Sequence, residues 1–303
     1  MITVPAALAA AKARFDGEAG RAWVAGLPRL AERMLRRWDL TLAPGPARHG
    51  VAALVLPVTR ADGGPAVLKL QQPDHETVGE GPALRAWHGA GAVRLLAHDE
   101  ASGSLLLEAL DPDRSLDGVP DVEAALTVLA GVLRRLVAAE PPPGLRRLAG
   151  ITARMLDEAP RLAPRAADPD ERRLLADCAA AVREVAHEPG GALLHWDLHY
   201  QNVLAPTPAA RAAGREPWLA IDPKPLVGDP GFELLPALVN RFDAGGVLRR
   251  FDLMTSVLGL ERARAARWTL GRVLQNALWL LRDGAPGVGP EQVAIARAVR
   301  ARC

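Results

Sequence analysis

Residues 191–204 read Gly191-Ala-Leu-Leu-His195-Trp-Asp197-Leu-His199-Tyr-Gln-Asn202-Val-Leu, and residues 218–222 read Trp218-Leu-Ala-Ile-Asp222. In the first stretch the apolar run GALL ends in a polar cluster whose carboxylate and carboxamide lie five positions apart; in the second, WLAI ends in another carboxylate. Short apolar runs bounded by polar residues fit buried strands. Joined by the Pro/Ala/Gly-rich loop between them, two such strands bring their polar ends together, so Asp197, Asn202 and Asp222 are expected to share one site. Two carboxylates and an amide oxygen form a hard-oxygen set of the kind Mg²⁺ takes up beside waters and phosphate oxygens. The remaining carboxylate can then accept the proton of an attacking hydroxyl. This is the requirement of phosphoryl transfer, with Asp197 as base and Asn202 and Asp222 on the metal. Taken singly, each residue is an ordinary turn or cap residue. The combination carries the reading.

These motifs, HWDLHYQNVL (195–204), WLAIDPK (218–224) and VGDPGFELL (227–235), resemble the aminoglycoside phosphotransferase family, a kinase-like group. Within it they are most similar to the branch of streptomycin 6-kinases and hydroxyurea phosphotransferases. The likeness extends to GEAGRAWVAGLPRLAERMLRRWDL (17–40), PAVLKLQQPDHETVGEGPALRAWHGAGAVRLLAHD (65–99) and LQNALWLL (274–281), nearly the whole chain. The resemblance implies an α+β, bilobal protein-kinase-like fold. Residues 1–109 would form a nucleotide-binding lobe with a small antiparallel sheet, and residues 110–303 a mostly helical lobe for catalysis and acceptor binding. It further implies ATP and Mg²⁺ as cofactors and a small-molecule hydroxyl as acceptor, streptomycin or a related aminoglycoside.

Composition agrees with a globular enzyme. The chain has 303 residues, enough for two cores, and a formal net charge of +2 with both signs interspersed, so no nucleic-acid footprint stands out. No apolar run reaches the roughly 20 residues of a membrane helix, and no basic, signal-like start is present. Cys178 and Cys303 offer neither a disulfide framework nor a metal pattern. The expectation is a cytoplasmic monomer or simple homodimer. Arginines number 34 and lysines three, Lys12, Lys69 and Lys224.

Working outward toward the N-terminus, residues 5–38 read as helices with Pro28 marking a break or a helix start. Val51–Val58 and Pro65–Leu70 flank Asp62-Gly-Gly64, a β-hairpin signal. The breaker-rich loop 43–50 stands where kinases place a phosphate-covering loop, although a plain surface loop fits it as well. The resemblance makes backbone amides around Arg48, His49 and Gly50 candidate phosphate contacts. Lys69 sits inside an apolar strand, where a buried ammonium needs an anion; the plain alternative is a strand-end lysine that snorkels to water. By resemblance it holds nucleotide phosphates and pairs with Glu80, or failing that Glu76. Gly81-Pro82 directly after Glu80 should restart or kink the helix there. Residues 93–98 and 103–108 read as strands. The Pro-containing break at 109–113 would be the interlobe hinge, with backbone near Glu108 to Leu110 reading the adenine edge.

Beyond residue 115 the pattern turns helical, over 121–139, 145–158 and 169–186, and again at 231–242, 245–258, 260–282 and 290–301. The loop 206–217 reads as a mobile surface excursion. His195 and His199 lie four apart but within HWDLH after a strand, so a zinc pair is set aside. His195 is expected to brace the loop and His199 to line it. Trp196 departs from the small residue of the resembling family. It is either core or a wall of the acceptor pocket, with pocket lining favoured. Lys224 is a surface residue or a second phosphate contact. Asp229 followed by Pro230 is explained as a helix cap. Arg272 and Asn276 share a helical face with Trp268, Gln275 and Trp279, a packed face in the plain reading and an acceptor-pocket floor in the sharper one. Two other functions fit the sequence: a kinase of hydroxyurea or another small metabolite, and a nucleotide-binding protein without turnover in which Trp196 blocks the acceptor side.

Overall fold

The computed structural model describes residues 2–50 and 52–303; Val51, expected to open the first hairpin strand, lies outside them. The chain begins with helix α1 (Ala6–Arg37). Four strands follow, β1 (Leu40–Leu42), β2 (Arg48–His49), β3 (Ala53–Arg60) and β4 (Pro65–Gln71), then α2 (Glu80–Trp87), β5 (Leu95–Asp99) and β6 (Ser104–Glu108). The six strands form one antiparallel sheet in the order β1-β3-β4-β6-β5, with β2 also paired to β3. The period of two sorts its side chains. Leu54, Leu56, Val58, Ala66, Leu68, Leu70 and Leu106 pack against Leu8, Leu27, Ala31 and Met34 of α1. On β4 and β6 the odd positions Val67, Lys69, Gln71, Leu105 and Leu107 take the other face, toward α2 and the cleft.

The break in α1 falls at Gly17 and not at Pro28, which sits inside the helix. Gly17 has φ +58°, a conformation glycine adopts without steric cost. Pro28 is flanked by Leu27 and Ala31, both buried, so packing on the sheet holds the helix through the missing amide. Pro82 likewise causes no kink, because α2 starts at Glu80 and places Pro82 in its first turn, where an amide has no intrahelical partner.

The second half contains β7 (Leu110–Ser115), α3 (Val122–Val137), β8 (Arg146–Arg147), α4 (Leu148–Leu162), α5 (Pro169–Val185), β9 (Ala192–Leu194), β10 (Val203–Pro206), α6 (Pro208–Ala212), β11 (Leu219–Ala220), β12 (Leu226–Gly228), α7 (Leu234–Val239), α8 (Val247–Leu258), α9 (Arg262–Arg282) and α10 (Pro290–Val299). Helix α9 is buried along most of its length, in the core shared with α3, α4, α5 and α10. Two three-stranded sheets, β11-β10-β7 and β8-β12-β9, carry the polar loops.

The strand ending at Leu194 and the one ending before Asp222 are not paired to each other: β9 pairs with β12, and β11 pairs with β10. The polar ends still converge, since each strand finds its own partner on either side of one loop. The break expected at 109–113 is strand β7, with Leu110 opposite Pro206 and Asp111 opposite Ala205. The loop 206–217 is anchored: Arg215 donates to the Glu108 carboxylate at 3.1 Å and to the carbonyls of Gly89 and Ala92 at 2.8 Å. Val93 and Ala220 continue this seam between the halves through a 2.9 Å backbone hydrogen bond.

Candidate active site

Four backbone and side-chain hydrogen bonds knit the two polar loops into one unit. The Asn202 amide donates to the Asp197 carbonyl at 3.0 Å. Ile221 N–H donates to the Asn202 carbonyl at 2.9 Å and Lys224 N–H to the His195 carbonyl at 3.0 Å. His195 Nε2 lies 3.0 Å from the Ile221 carbonyl, which requires the Nε2–H tautomer. Burial pushes the His195 imidazole down to about 4, so the brace is neutral. Asp197, Asn202 and Asp222 are thereby brought together, as the motif predicts. Asp222 and Trp196 adopt φ +57° and +72°, conformations costly for side-chain-bearing residues.

Lys69 reaches this unit from the opposite lobe. Its ammonium lies 2.7 Å from both Glu80 oxygens and 2.6 Å from Asp222 Oδ1, and Gln71 adds a 2.6 Å hydrogen bond to Glu80. Burial alone would discharge the lysine, but Asp222 and Glu80 outweigh it and raise its pKa above the usual value. Lys69 in turn holds the Asp222 carboxyl down at about 2. Glu80 is thus the partner, while Glu76 lies 3.5 Å from Arg146.

His195 spends its Nε2 on the Ile221 carbonyl and so does not offer that nitrogen to a metal. Mg²⁺ needs little from the protein. The half-exposed Asp222 carboxylate opens to the cleft, and the Asn202 amide oxygen is left free when its nitrogen binds Asp197. One carboxylate and one amide oxygen fit an ion that takes its other ligands from water and phosphate.

Several proposed contacts are otherwise engaged. Gly50 N–H is held by the Ala53 carbonyl at 3.1 Å, and exposed His49 turns its Nδ1 to the Gly50 carbonyl, so the loop tip offers fewer free amides than expected. Glu108 N–H donates to the Arg94 carbonyl and its carboxylate accepts from Arg94 N–H and Arg215; with Leu110 buried in β7, this segment is seam more than open hinge. Asn276 donates to Gln292 on α10 at 3.1 Å instead of facing an acceptor.

Trp196 corrects the favoured reading most. It is 3 % exposed, packed against Phe232 and Trp279, with the guanidinium of Arg272 over its ring at 4.3 Å and that of Arg146 at 5.0 Å. Arg272 is itself buried, which lowers its pKa to about 10. Both are core residues beneath the loop. Trp196 takes this buried place at φ +72°, while the side chain of the next residue, Asp197, stays 28% exposed. His199 lies half-buried nearby, its Nδ1 buried without a partner.

Two residues that sequence reasoning missed complete the site. Buried Glu233 accepts the backbone N–H groups of His195 at 3.1 Å and Trp196 at 2.6 Å, and burial raises its pKa to about 7. Its signal was an acid inside the apolar run Phe232-Glu-Leu-Leu235, which burial makes costly without partners. Arg146 donates to the Lys224 carbonyl at 3.0 Å, and nothing in its local sequence marks it.

The aminoglycoside/hydroxyurea antibiotic resistance kinase family matches residues 37–284. A hydroxyurea phosphotransferase of Kitasatospora aureofaciens is 55% identical, over 100% of this chain and 87% of that protein. A streptomycin 6-kinase of Streptomyces glaucescens is 54% identical, over 99% of this chain and 98% of that protein. Among solved structures, a thermostable mutant of an aminoglycoside phosphotransferase in ternary complex with ADP and hygromycin B aligns at a TM-score of 0.56 and 14% identity, covering 90% and 95% of the two chains. A macrolide 2'-phosphotransferase from Brachybacterium faecium aligns at 0.57 and 18%, covering 91% and 97%. These two likenesses establish the kinase-like fold.

Proposed function

The chain belongs to the aminoglycoside/hydroxyurea antibiotic resistance kinase family, and on that premise we propose that this ATP-dependent small-molecule phosphotransferase acts on streptomycin. Asp197 is the base that orients the acceptor hydroxyl and takes its proton. Lys69, held by Glu80, neutralises nucleotide phosphates, and Asn202 and Asp222 hold Mg²⁺. When bound, that ion neutralises charge on the phosphate oxygens. We take residues 1–109 as the nucleotide lobe and 110–303 as the acceptor lobe of a cytoplasmic enzyme. Positioning and charge neutralisation supply most of the rate in such transfers. The observation that carries the reading is the convergence of Asp197, Asn202 and Asp222 on one hydrogen-bonded unit, reached across the cleft by Lys69 at 2.6 Å.

The 55% identity to a hydroxyurea phosphotransferase supports a second reading, with hydroxyurea as acceptor. Incubation of the protein with Mg²⁺-ATP and either compound, followed by mass spectrometry of the acceptor, decides between them. Streptomycin gaining one phosphoryl group is the expected result. Phosphorylation of hydroxyurea alone selects the second reading, and ADP formation with neither rejects both.

A further inference from the structure

We propose that Lys224 is a positioning residue for the transfer: its ammonium holds one oxygen of the Asp197 carboxylate so that the other faces the acceptor hydroxyl. The inference rests on Asp197 being the base. Lys224 Nζ lies 2.8 Å from Asp197 Oδ2, while Asp197 Oδ1 has no hydrogen-bond partner among the described residues. A carboxylate with two free oxygens rotates; one tethered by a charged donor presents a single free oxygen in a fixed direction.

The lysine is itself fixed. Pro223 restricts the chain before it, its N–H donates to the His195 carbonyl, and its own carbonyl accepts from Arg146. Both anchors lie on or against the loop that bears Asp197, so lysine and base move as one body. Lys224 and Asp197 are 29% and 28% exposed along their side chains, and partly exposed pairs contribute little to stability. The chain otherwise uses arginine almost everywhere, 34 against three lysines, yet both cleft carboxylates, Asp222 and Asp197, are met by lysine. At Asp197 the compact ammonium tethers one oxygen, whereas a planar guanidinium would tend to take both.

In the step so arranged, the acceptor O–H gives its proton to the free oxygen of Asp197 and its oxygen bonds the γ-phosphorus. The bond from that phosphorus to the bridging oxygen breaks, and its electron pair leaves on ADP. Misorientation of a reacting group by about 1 Å costs on the order of 10²-fold. Lys224→Met is therefore expected to lower kcat about 10²-fold while the acceptor KM and the calorimetric Kd for ADP stay within about twofold. Lys224→Arg, which keeps the charge but tends to take both carboxylate oxygens, should fail to restore the rate, which separates a one-oxygen tether from a mere neighbouring charge. If Lys224→Met fails to fold, Lys224→Gln is measured in its place. A kcat within twofold of wild type overturns the proposal. So does a loss that resides in the ADP Kd, since Lys224 would then be a nucleotide contact. Asp197→Asn separates the two levels of the argument. An active Asp197→Asn removes the base reading itself, whereas an inactive one beside a fully active Lys224→Met removes only the role of Lys224.

Discussion

The two ends of the cleft use the same contact, a lysine against a carboxylate, in opposite surroundings. At the nucleotide end Lys69 stands on the sheet, its side chain 7% exposed, against Glu80 at 1%. At the acceptor end Lys224 stands on a loop and shares a partly solvated site with Asp197. A buried pair is held by its neighbours and cannot lose one member without stranding the other charge. A partly exposed pair is screened and contributes orientation more than free energy. The first is therefore expected to support the fold as well as to meet the nucleotide, and the second mainly to orient Asp197.

The largest effect should separate the two ends by function. Asp197→Ala is expected to lower transfer by on the order of 10²–10⁴-fold while Mg²⁺-nucleotide affinity stays within about twofold, because the base faces the acceptor. Asp222→Asn should weaken nucleotide binding with Mg²⁺ more than without it, in paired calorimetric titrations. An Asp197→Ala variant retaining more than about a tenth of wild-type turnover would show that the acceptor end lacks the base.

Stability should separate them next. Lys69→Met strands Glu80 in the interior and is expected to cost ~3–5 kcal/mol in urea unfolding. Lys224→Met should cost less than ~1 kcal/mol. Equal losses would erase the distinction between a structural and an orienting pair.

That contrast also explains what the sequence revealed. Lys69 was legible because a lysine inside Val67-Leu-Lys-Leu70 must either snorkel to water or meet an anion, and the period of two aims it at the cleft. The Asp197–Asn202–Asp222 set was legible from spacing and strand ends, although the strands carrying it pair with β12 and β10 and not with each other. Trp196 was misjudged, and the face bearing Arg272 and Asn276 was left between packed face and pocket floor, because a helical face or a loop position does not say which neighbour covers it. Arg215 and Arg146 were not marked at all: each meets carbonyls and carboxylates brought close only by the fold. Arginines in a chain with 34 of them carry no local signal.

His195 links the two polar loops, so its titration should loosen the loops that carry Asp197 and Asp222 together. Its imidazole is held at about 4 by burial, against about 6.5 in an unfolded chain. Between those values the unfolded state binds a proton that the folded state refuses. Stability is therefore full above pH ~6.5 and declines by ~3 kcal/mol as the pH falls to ~4. In His195→Gln that slope should be largely absent. An unchanged slope from pH 7 to 4 in urea unfolding would place the acid sensitivity elsewhere.

The smallest effect tests whether the acceptor end is rigid enough to orient a base at all. Trp196 holds φ +72°, a region where a side-chain-bearing residue is strained and glycine is not. Removing the buried indole should cost ~3–5 kcal/mol in either Trp196→Ala or Trp196→Gly. Ordinarily the alanine variant would be the more stable by ~0.4–1 kcal/mol, because glycine has more freedom to lose on folding. Here the positive φ opposes that, by roughly 1–3 kcal/mol of strain that alanine keeps and glycine relieves. If Glu233, gripping the amides of His195 and Trp196, keeps the loop in place, Trp196→Gly should be the more stable variant, by ~1 kcal/mol. The reverse order in urea unfolding would mean that the backbone relaxes out of positive φ once the indole is gone. The aromatic packing beneath the loop, and not the carboxylate that grips its amides, would then set the direction in which Asp197 points.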